Sequence, residues 1–573
     1  MPVLGTQPSD STMFKSLLRK KSTAVVTTDE EDVHGHGLHK VLSVRDLTFF
    51  GIAAIIGAGI FSSIGSACYA GGPAVILLFI ICAVACGFTA MCYAEFASRV
   101  PMSGSAYTYA YVSFGEIFAW IIGWALLMEY SIGNIYVAFS WSGYFTNLLE
   151  AVHVHLPAWL TSNYTESHAA FLSNTTGEEY NAWVNAPSLG GLRIIFDLPA
   201  VAINIIITWL VLVGVKESRN ASNFMVIVKL AIIALVIIVG VFYVDIDNWT
   251  PFMPNGFAPN EVNGETVGVM AAIAAVFFAF IGFDAVSTLA EECKNPQRDL
   301  PRGMIYSLVI STIVFIILAL VLTGMTSYKN LNVSDPLADI FGERGVKWML
   351  YIVSISAVVA MTSVILVFQM GQPRIWMTMS RDGLMPKKFA EIHPKYKTPG
   401  FSTIMTGVVV GVPIFFTDRT FILDFTSIGT LFAFALVCGG VLVLPPRKEK
   451  TNDGKFRLPY VNAQYIVPGI VALAAVIVFS TNASLITDTF SINADNAVKN
   501  IPMLVFFLSC IFLSVMSYIK KYSLIPVLGL LSCIYLFTGF SIANWKYFGI
   551  WLVIGLVVYF LYGYRKSKLN TAQ

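Results

Sequence analysis

Residues 51–65 read GIAAIIGAGIFSSIG, four glycines inside an apolar run long enough to cross a bilayer. Gly57 and Gly59 flank Ala58, so a helix through this stretch is weakest at mid-depth and no bulky side chain shields its backbone there. Freed N–H and C=O groups in hydrocarbon are costly, and an unwound turn at that depth survives only where it lines a cavity. The half-helix that starts near Ile60 then points the positive end of its dipole at the gap, a seat for a carboxylate.

Residues 277–288, FFAFIGFDAVST, repeat the arrangement: a span with Gly282 at its centre and Asp284 just beyond. Paired interrupted helices in corresponding places of two halves point to a midplane substrate site built on inverted repeats. Glycines in membrane helices also serve close packing. One glycine pair alone favours packing, and the two interrupted spans together favour the break.

The rest of the composition agrees with a membrane setting. The chain has 573 residues, 56% hydrophobic and 12% charged, about half the charged share of an ordinary soluble domain. Its formal net charge of +2 is dispersed over loops, which gives no footing for a nucleic-acid partner. The eight cysteines lie in or beside apolar runs, so a disulfide framework is not expected. Cys82 and Cys86 stand at helical spacing without a His or acidic neighbour, and neither a metal nor a cofactor is expected. Residues 1–45 are polar and mixed in charge, with no cleavable signal, and read as a cytoplasmic tail.

Apolar runs begin near residues 47, 73, 115, 197, 223, 267, 304, 346, 401, 421, 463, 501, 523 and 546, which predicts an all-α membrane protein of about 14 transmembrane helices. With the N-terminus inside, inner segments hold about 28 of the 36 Lys and Arg, and both termini are cytoplasmic. The largest outer segment, residues 148–196, carries the sequons Asn163-Tyr-Thr and Asn174-Thr-Thr and reads as a solvated loop with room for a short helix. The basic inner segment 374–399 reads as a helical gate element lying along the cytoplasmic face.

Five charged residues fall within the spans or at their rims. Lys229 has apolar neighbours on every side; it is either a proton carrier or a permanent brace to a carboxylate or to backbone carbonyls. Glu129, in the third span, either shares a proton pathway or hydrogen-bonds a neighbouring helix. Asp284 either holds the geometry of the second break or sets the substrate's surroundings. Glu95 and Arg99, four apart, fit an ion pair on a helix rim.

The stretches IIGAGIF, YAEFASRVPMSGSAYTYAY, FFAFIGFDAVSTLAEECKNPQRDLP, QPRIWMTMSRDGL and IGTLFAFALVCGGVLVL resemble the amino acid–polyamine–organocation superfamily. Within it, they resemble the cationic amino acid transporter family and its bacterial homologues, over nearly all of residues 40–565. The resemblance implies a LeuT-like core of two five-helix inverted repeats, residues 46–245 and 246–445, with discontinuous first and sixth helices. Additional C-terminal helices would occupy 446–563, and 564–573 would be a second cytoplasmic tail.

Carried over by position, the resemblance puts a substrate carboxylate on the backbone at Ile56, Ala58 and Gly59, and the amino group on carbonyls near Phe278, Ala279 and Ile281. Gly57, Gly282 and Asp284 would shape the breaks, and Met361 would face the side-chain pocket. Lys229 matches the lysine that, in proton-coupled bacterial members, takes the place of a sodium ion; the animal cationic transporters generally lack it. The expectation is a proton-coupled L-amino acid symporter of a plasma or bacterial inner membrane, its proton on Lys229 with Glu129 sharing the path. A sodium-independent facilitator or exchanger of cationic amino acids, or a transporter subunit requiring a partner chain, are the alternatives. No cysteine falls in 148–196, which speaks against a disulfide-linked heavy chain. An enzyme is not expected, because no nucleophile motif or phosphate-cradling loop is present.

Overall fold

The computed structural model describes residues 17–21, 40–57, 59–262, 265–333, 336–417, 419–445, 455–481, 497–540 and 542–571. Helix α1 (Val44–Ile55) opens on Ser43, whose amide and hydroxyl both donate to the Asp46 carboxylate, at 2.9 and 2.6 Å. After an interruption the chain makes a π-type turn (Gly59–Ser63) and α2 (Ile64–Gly71). A Gly72–Ala74 turn leads into α3 (Val75–Arg99), followed by α4 (Ala106–Ser113) and the long α5 (Glu116–Ala151). Next come α6 (Tyr164–Leu172), α7 (Glu178–Asn185) and an antiparallel hairpin of β1 (Ser188–Leu189) and β2 (Leu192–Arg193). Helices α8 (Leu198–Val213) and α9 (Val215–Val241) follow, then a second small hairpin, β3 (Asn260–Val262) with β4 (Glu265–Val267).

The second interrupted stretch is α10 (Ile273–Phe280) followed by a 3-10 segment, Phe283–Glu292. Beyond it lie α11 (Pro296–Met325), α12 (Pro336–Glu343), α13 (Lys347–Arg381), α14 (Gly400–Gly411) and α15 (Arg419–Val443). Four more long helices follow, α16 (Ile466–Thr481), α17 (Ala497–Lys520), α18 (Leu524–Leu536) and α19 (Ile542–Val558), and then a π-type turn (Tyr559–Gly563) and the short helical turns Tyr564–Lys566 and Lys568–Thr571.

The protein is a multi-pass helical membrane protein. Among the described residues nine stretches are long and apolar enough to cross a bilayer, one of them running from Val44 to Arg99 through α1, α2 and α3. Four shorter apolar helices, Leu198–Val213, Gly400–Phe415, Ile466–Ser480 and Leu524–Gly539, accompany them. Helix α5 packs against α13 and α15, while α1 and α3 pack against α11. This arrangement gathers both interrupted stretches into one buried core. Helices α16 and α17 pack on each other and on α18, and expose Leu473, Val476, Phe479, Ile511 and Phe512. Outward apolar surface of that extent suits hydrocarbon rather than water.

Two expectations change. Residues 374–381 do not lie along a surface; they continue α13, with Arg374 and Ile375 buried, and only a short 3-10 turn, Lys387–Ala390, follows. The apolar residues scattered through that segment face the core, so the helix gains more by running on than by turning flat. Segment 148–196 is more ordered than a solvated loop, holding α6, α7 and a hairpin. Asn163 caps α6 by accepting from the Thr165 amide at 2.8 Å. The rim pair is present: Arg99 Nε meets Glu95 Oε1 at 2.6 Å.

Candidate functional site

Both glycine-centred stretches come apart where the sequence is weakest. Helix α1 ends at Ile56, whose φ of −84° and ψ of 96° are extended, and Gly57 lies in a bend. Ala58 lies outside the described residues. Helix α10 ends in the same manner at Ile281, φ −62° and ψ 138°, and Gly282 then takes φ 117°, a conformation that a side chain disfavours.

The breaks lie against one another. A Cβ on Gly59 would stand 2.5 Å from Ala279 Cα, and one on Gly282 would stand 2.5 Å from Ala54 Cβ. A Cβ on Gly57 would collide with Val364. Ser63 Oγ crosses between the two stretches, donating toward the carbonyl oxygens of Gly59 at 3.0 Å and Ala275 at 3.2 Å. These glycines therefore serve close packing and interruption together.

Some backbone groups at the breaks are already engaged. The Ile60 and Phe61 amides donate to the Gly57 carbonyl at 3.0 and 3.1 Å, and the Ile281 amide donates to the Phe278 carbonyl at 3.2 Å. A carbonyl oxygen has two lone pairs, so Phe278 keeps one for a ligand.

Lys229 reaches from α9 to the open end of α1. Its Nζ donates to the carbonyl oxygens of Ile52 and Ala53, each at 3.1 Å, of Ile56 at 2.6 Å, and to Ser363 Oγ at 2.9 Å. It is fully buried, and among the described residues no carboxylate lies within ion-pair distance. Four acceptors around three protons satisfy the ammonium without a counter-ion. Carbonyls at a helix C-terminus carry partial negative charge, so the cation complements the dipole of α1.

Between the breaks lies a hollow of about 10 Å³, walled by Ala54, Ile55, Gly59, Val137, Phe278, Ile281, Val364 and Phe368. That volume holds about one water-sized sphere, against roughly 300–1,000 Å³ for a small-molecule site. Gly59, Phe278 and Ile281 are thus brought together, with Ile56 and Ala279 adjoining in sequence. Met361 is buried on α13, but the wall from that helix is Val364 and Phe368, one and two turns further on. Val137, Val364 and Phe368 carry no sequence signal, being apolar residues in apolar helices. Ser363, a mid-helix hydroxyl beside Lys229, carries a faint one.

Glu129 and Asp284 are acidic neighbours in the core. Glu129 Oε2 has no hydrogen-bond partner among the described residues, and neither has Asp284 Oδ1. Asp284 Oδ2 accepts from the Tyr130 hydroxyl at 3.4 Å, and Tyr130 packs on Phe368 of the hollow's wall with ring centroids 5.5 Å apart. Tyr93, whose buried hydroxyl is also unpartnered, belongs to the same group. Buried acid oxygens left without a donor are a cost that structural roles alone rarely explain.

Beyond the second break the 3-10 segment is tied to the end of α13. Arg374 Nη2 and Nε meet Glu292 Oε1 at 2.5 and 3.0 Å, both residues almost wholly buried, and Arg381 Nη1 meets Glu291 Oε2 at 2.8 Å. Arg374 also donates to the Met370 carbonyl of its own helix. Sequence reading had placed these arginines in a surface element and missed the pairs, because their partners lie 82 and 90 residues away.

The family described as "Amino acid permease" matches residues 42–507, and that described as "C-terminus of AA_permease" matches 522–567. The chain is 36% identical over 562 residues to the "Branched-chain amino acid permease BcaP" of Bacillus subtilis (strain 168), covering 97% of this chain and 100% of that protein. It is 35% identical over 559 residues to the "Methylthioribose transporter" of the same organism, with the same coverage. It is 31% identical over 597 residues to the "Cationic amino acid transporter 4" of Homo sapiens, covering 94% of this chain and 90% of the relative. The chain belongs to the amino acid permease family of the amino acid–polyamine–organocation superfamily, in the branch of the cationic amino acid transporters and their bacterial relatives.

Proposed function

We propose that the protein is a proton-coupled symporter of an L-amino acid, held at the two breaks and moved by alternating access through a plasma or bacterial inner membrane. The observation that carries this reading is Lys229: an ammonium buried with no carboxylate in ion-pair range among the described residues, on the carbonyl oxygen of Ile56. With its proton, the lysine holds the end of α1 against α9 and α13. Without it, the charge that complements the helix end is gone and one donor is lost, so α1 is freer to swing.

The substrate's carboxylate would meet the backbone around Ile56, Ala58 and Gly59, and its amino group the carbonyls of Phe278, Ala279 and Ile281. A hollow of about 10 Å³ belongs to a closed conformation, from which these helices separate to admit the ligand. The wider reading has fourteen crossings, with the four shorter helices and the division of Val44–Arg99 counted in. It also has two inverted five-helix repeats, 46–245 and 246–445, and both termini in the cytoplasm. Asp284 and Gly282 would keep the second break open, and Glu129 would share the proton path.

A second reading is transport of cationic amino acids. The unpartnered oxygens of Glu129 and Asp284 favour it, since an ammonium or guanidinium side chain would satisfy both. Several relatives bear the name of cationic amino acid transporters, while others are named for branched-chain amino acids and methylthioribose.

A thermal-shift screen of the purified protein against the common amino acids identifies the ligand, since binding to the folded state raises its apparent stability. Uptake into proteoliposomes under an imposed proton gradient then tests coupling. Accumulation above equilibrium, abolished by a protonophore, is expected; uptake that only equilibrates and ignores the gradient would refute symport.

A further inference from the structure

Chain ends are ordinarily loose unless something ties them down. Here both ends dock on one patch formed by α4, the start of α5 and the turn after α13. Lys21 Nζ meets Asp382 Oδ1 at 3.0 Å, while the Tyr107 hydroxyl donates to Asp382 Oδ2 at 2.8 Å. From the other end, the Lys568 amide donates to the Asp382 carbonyl at 3.1 Å. Glu116, fully buried, accepts from the hydroxyls of Tyr559 at 2.9 Å, Tyr111 at 3.0 Å and Ser567 at 2.6 Å. Its amide donates to the Arg19 carbonyl at 3.0 Å.

The two ends also touch each other, Arg19 Nη1 donating to the Leu569 carbonyl at 2.7 Å. Gly383 has φ 84°, and a Cβ there would stand 2.4 Å from the Lys566 carbonyl oxygen, so the turn after α13 is shaped to receive the C-terminal segment.

The patch adjoins the pairs that tie the segment beyond the second break to the end of α13. Asp382 follows Arg381, which holds Glu291, and Arg374 two turns earlier holds Glu292. We propose that residues 17–21 and 559–569 form a detachable clasp on the end of α13, and that releasing either end loosens the Arg374–Glu292 and Arg381–Glu291 closure on the cytoplasmic side. Because Arg19 holds Leu569 and both ends share Asp382 and Glu116, the clasp comes off as a unit.

The inference rests on the alternating-access reading above, and its test uses a separate readout. Cys293 follows Glu292 directly and is buried. In full-length protein with the other seven cysteines replaced, reconstituted in nanodiscs so that both faces are reachable, the rate of maleimide labelling of Cys293 reports how often this closure opens. Lys21→Ala and Ser567→Ala, each removing one buried charge-assisted hydrogen bond, should each raise the rate about fivefold or more. The double variant should gain little more than either single, and Lys21→Arg should label like the parent. Parent rates in both alanine variants, or effects that multiply in the double, would overturn the clasp. Slower labelling on adding the transported amino acid speaks to the transport reading alone, so the two can fail separately.

Discussion

The Nζ of Lys229 lies 2.6 Å from the carbonyl oxygen of Ile56, the residue at which α1 stops being a helix. A titratable group on α9 thereby holds the loose end of the element that walls the hollow. On the proposed reading, proton and substrate would be linked without touching, each acting on the same end of α1.

Gly59→Ala should separate α10 from the second half of the broken first span, because the new methyl would stand 2.5 Å from Ala279 Cα. Overpacking of this kind costs about 1–3 kcal/mol. The expected outcome is a lower melting temperature in detergent together with weaker ligand binding. A variant with parental stability and affinity would show that the two breaks are not in contact.

Arg374→Ala should destabilise the protein strongly, since removing one partner of a buried ion pair leaves an uncompensated charge, at about 3–5 kcal/mol. Replacing Glu292 as well, as Arg374→Met with Glu292→Leu, should restore much of that loss. Thermal unfolding of the single and double variants measures this, and equal losses in both would mean the pair is not buried as described.

Of the two sequons in residues 148–196, Asn174 is exposed and Asn163 is not. Asn163 is 1% exposed, and its amide donates to the carbonyls of Ile414 and Thr417. Expressed in a glycosylating host, the protein should lose one removable glycan on Asn174→Gln and none on Asn163→Gln, whatever Asn248-Trp-Thr, Asn332-Val-Ser and Asn482-Ala-Ser carry. A glycan lost on Asn163→Gln would contradict the fold around Asn163, and no change on Asn174→Gln would contradict an outer position for residues 148–196.

The interruptions were legible because glycine pairs at mid-span are a local property of the chain, and so was the isolation of Lys229 in FMVIVKLAII. What Lys229 binds was not legible: its acceptors on α1 and α13 are over a hundred residues distant. The same holds for Val137 and Phe368, whose place in the hollow's wall depends on which face of α5 and α13 meets the breaks. Segment 374–399 misled because basic residues among apolar ones read as a surface helix, whereas Arg374 is buried with its partner. Sequence carries the sign of a charge but not the location of its counter-charge.

Accumulation by Lys229→Gln in proteoliposomes under an imposed proton gradient tests the central claim most directly. The glutamine keeps a donor near the Ile52, Ala53 and Ile56 carbonyls and removes the titrating charge. The account predicts a protein that folds and exchanges amino acid across the membrane yet no longer concentrates it. Gradient-driven accumulation at the parental level, with the parental pH dependence, would contradict it.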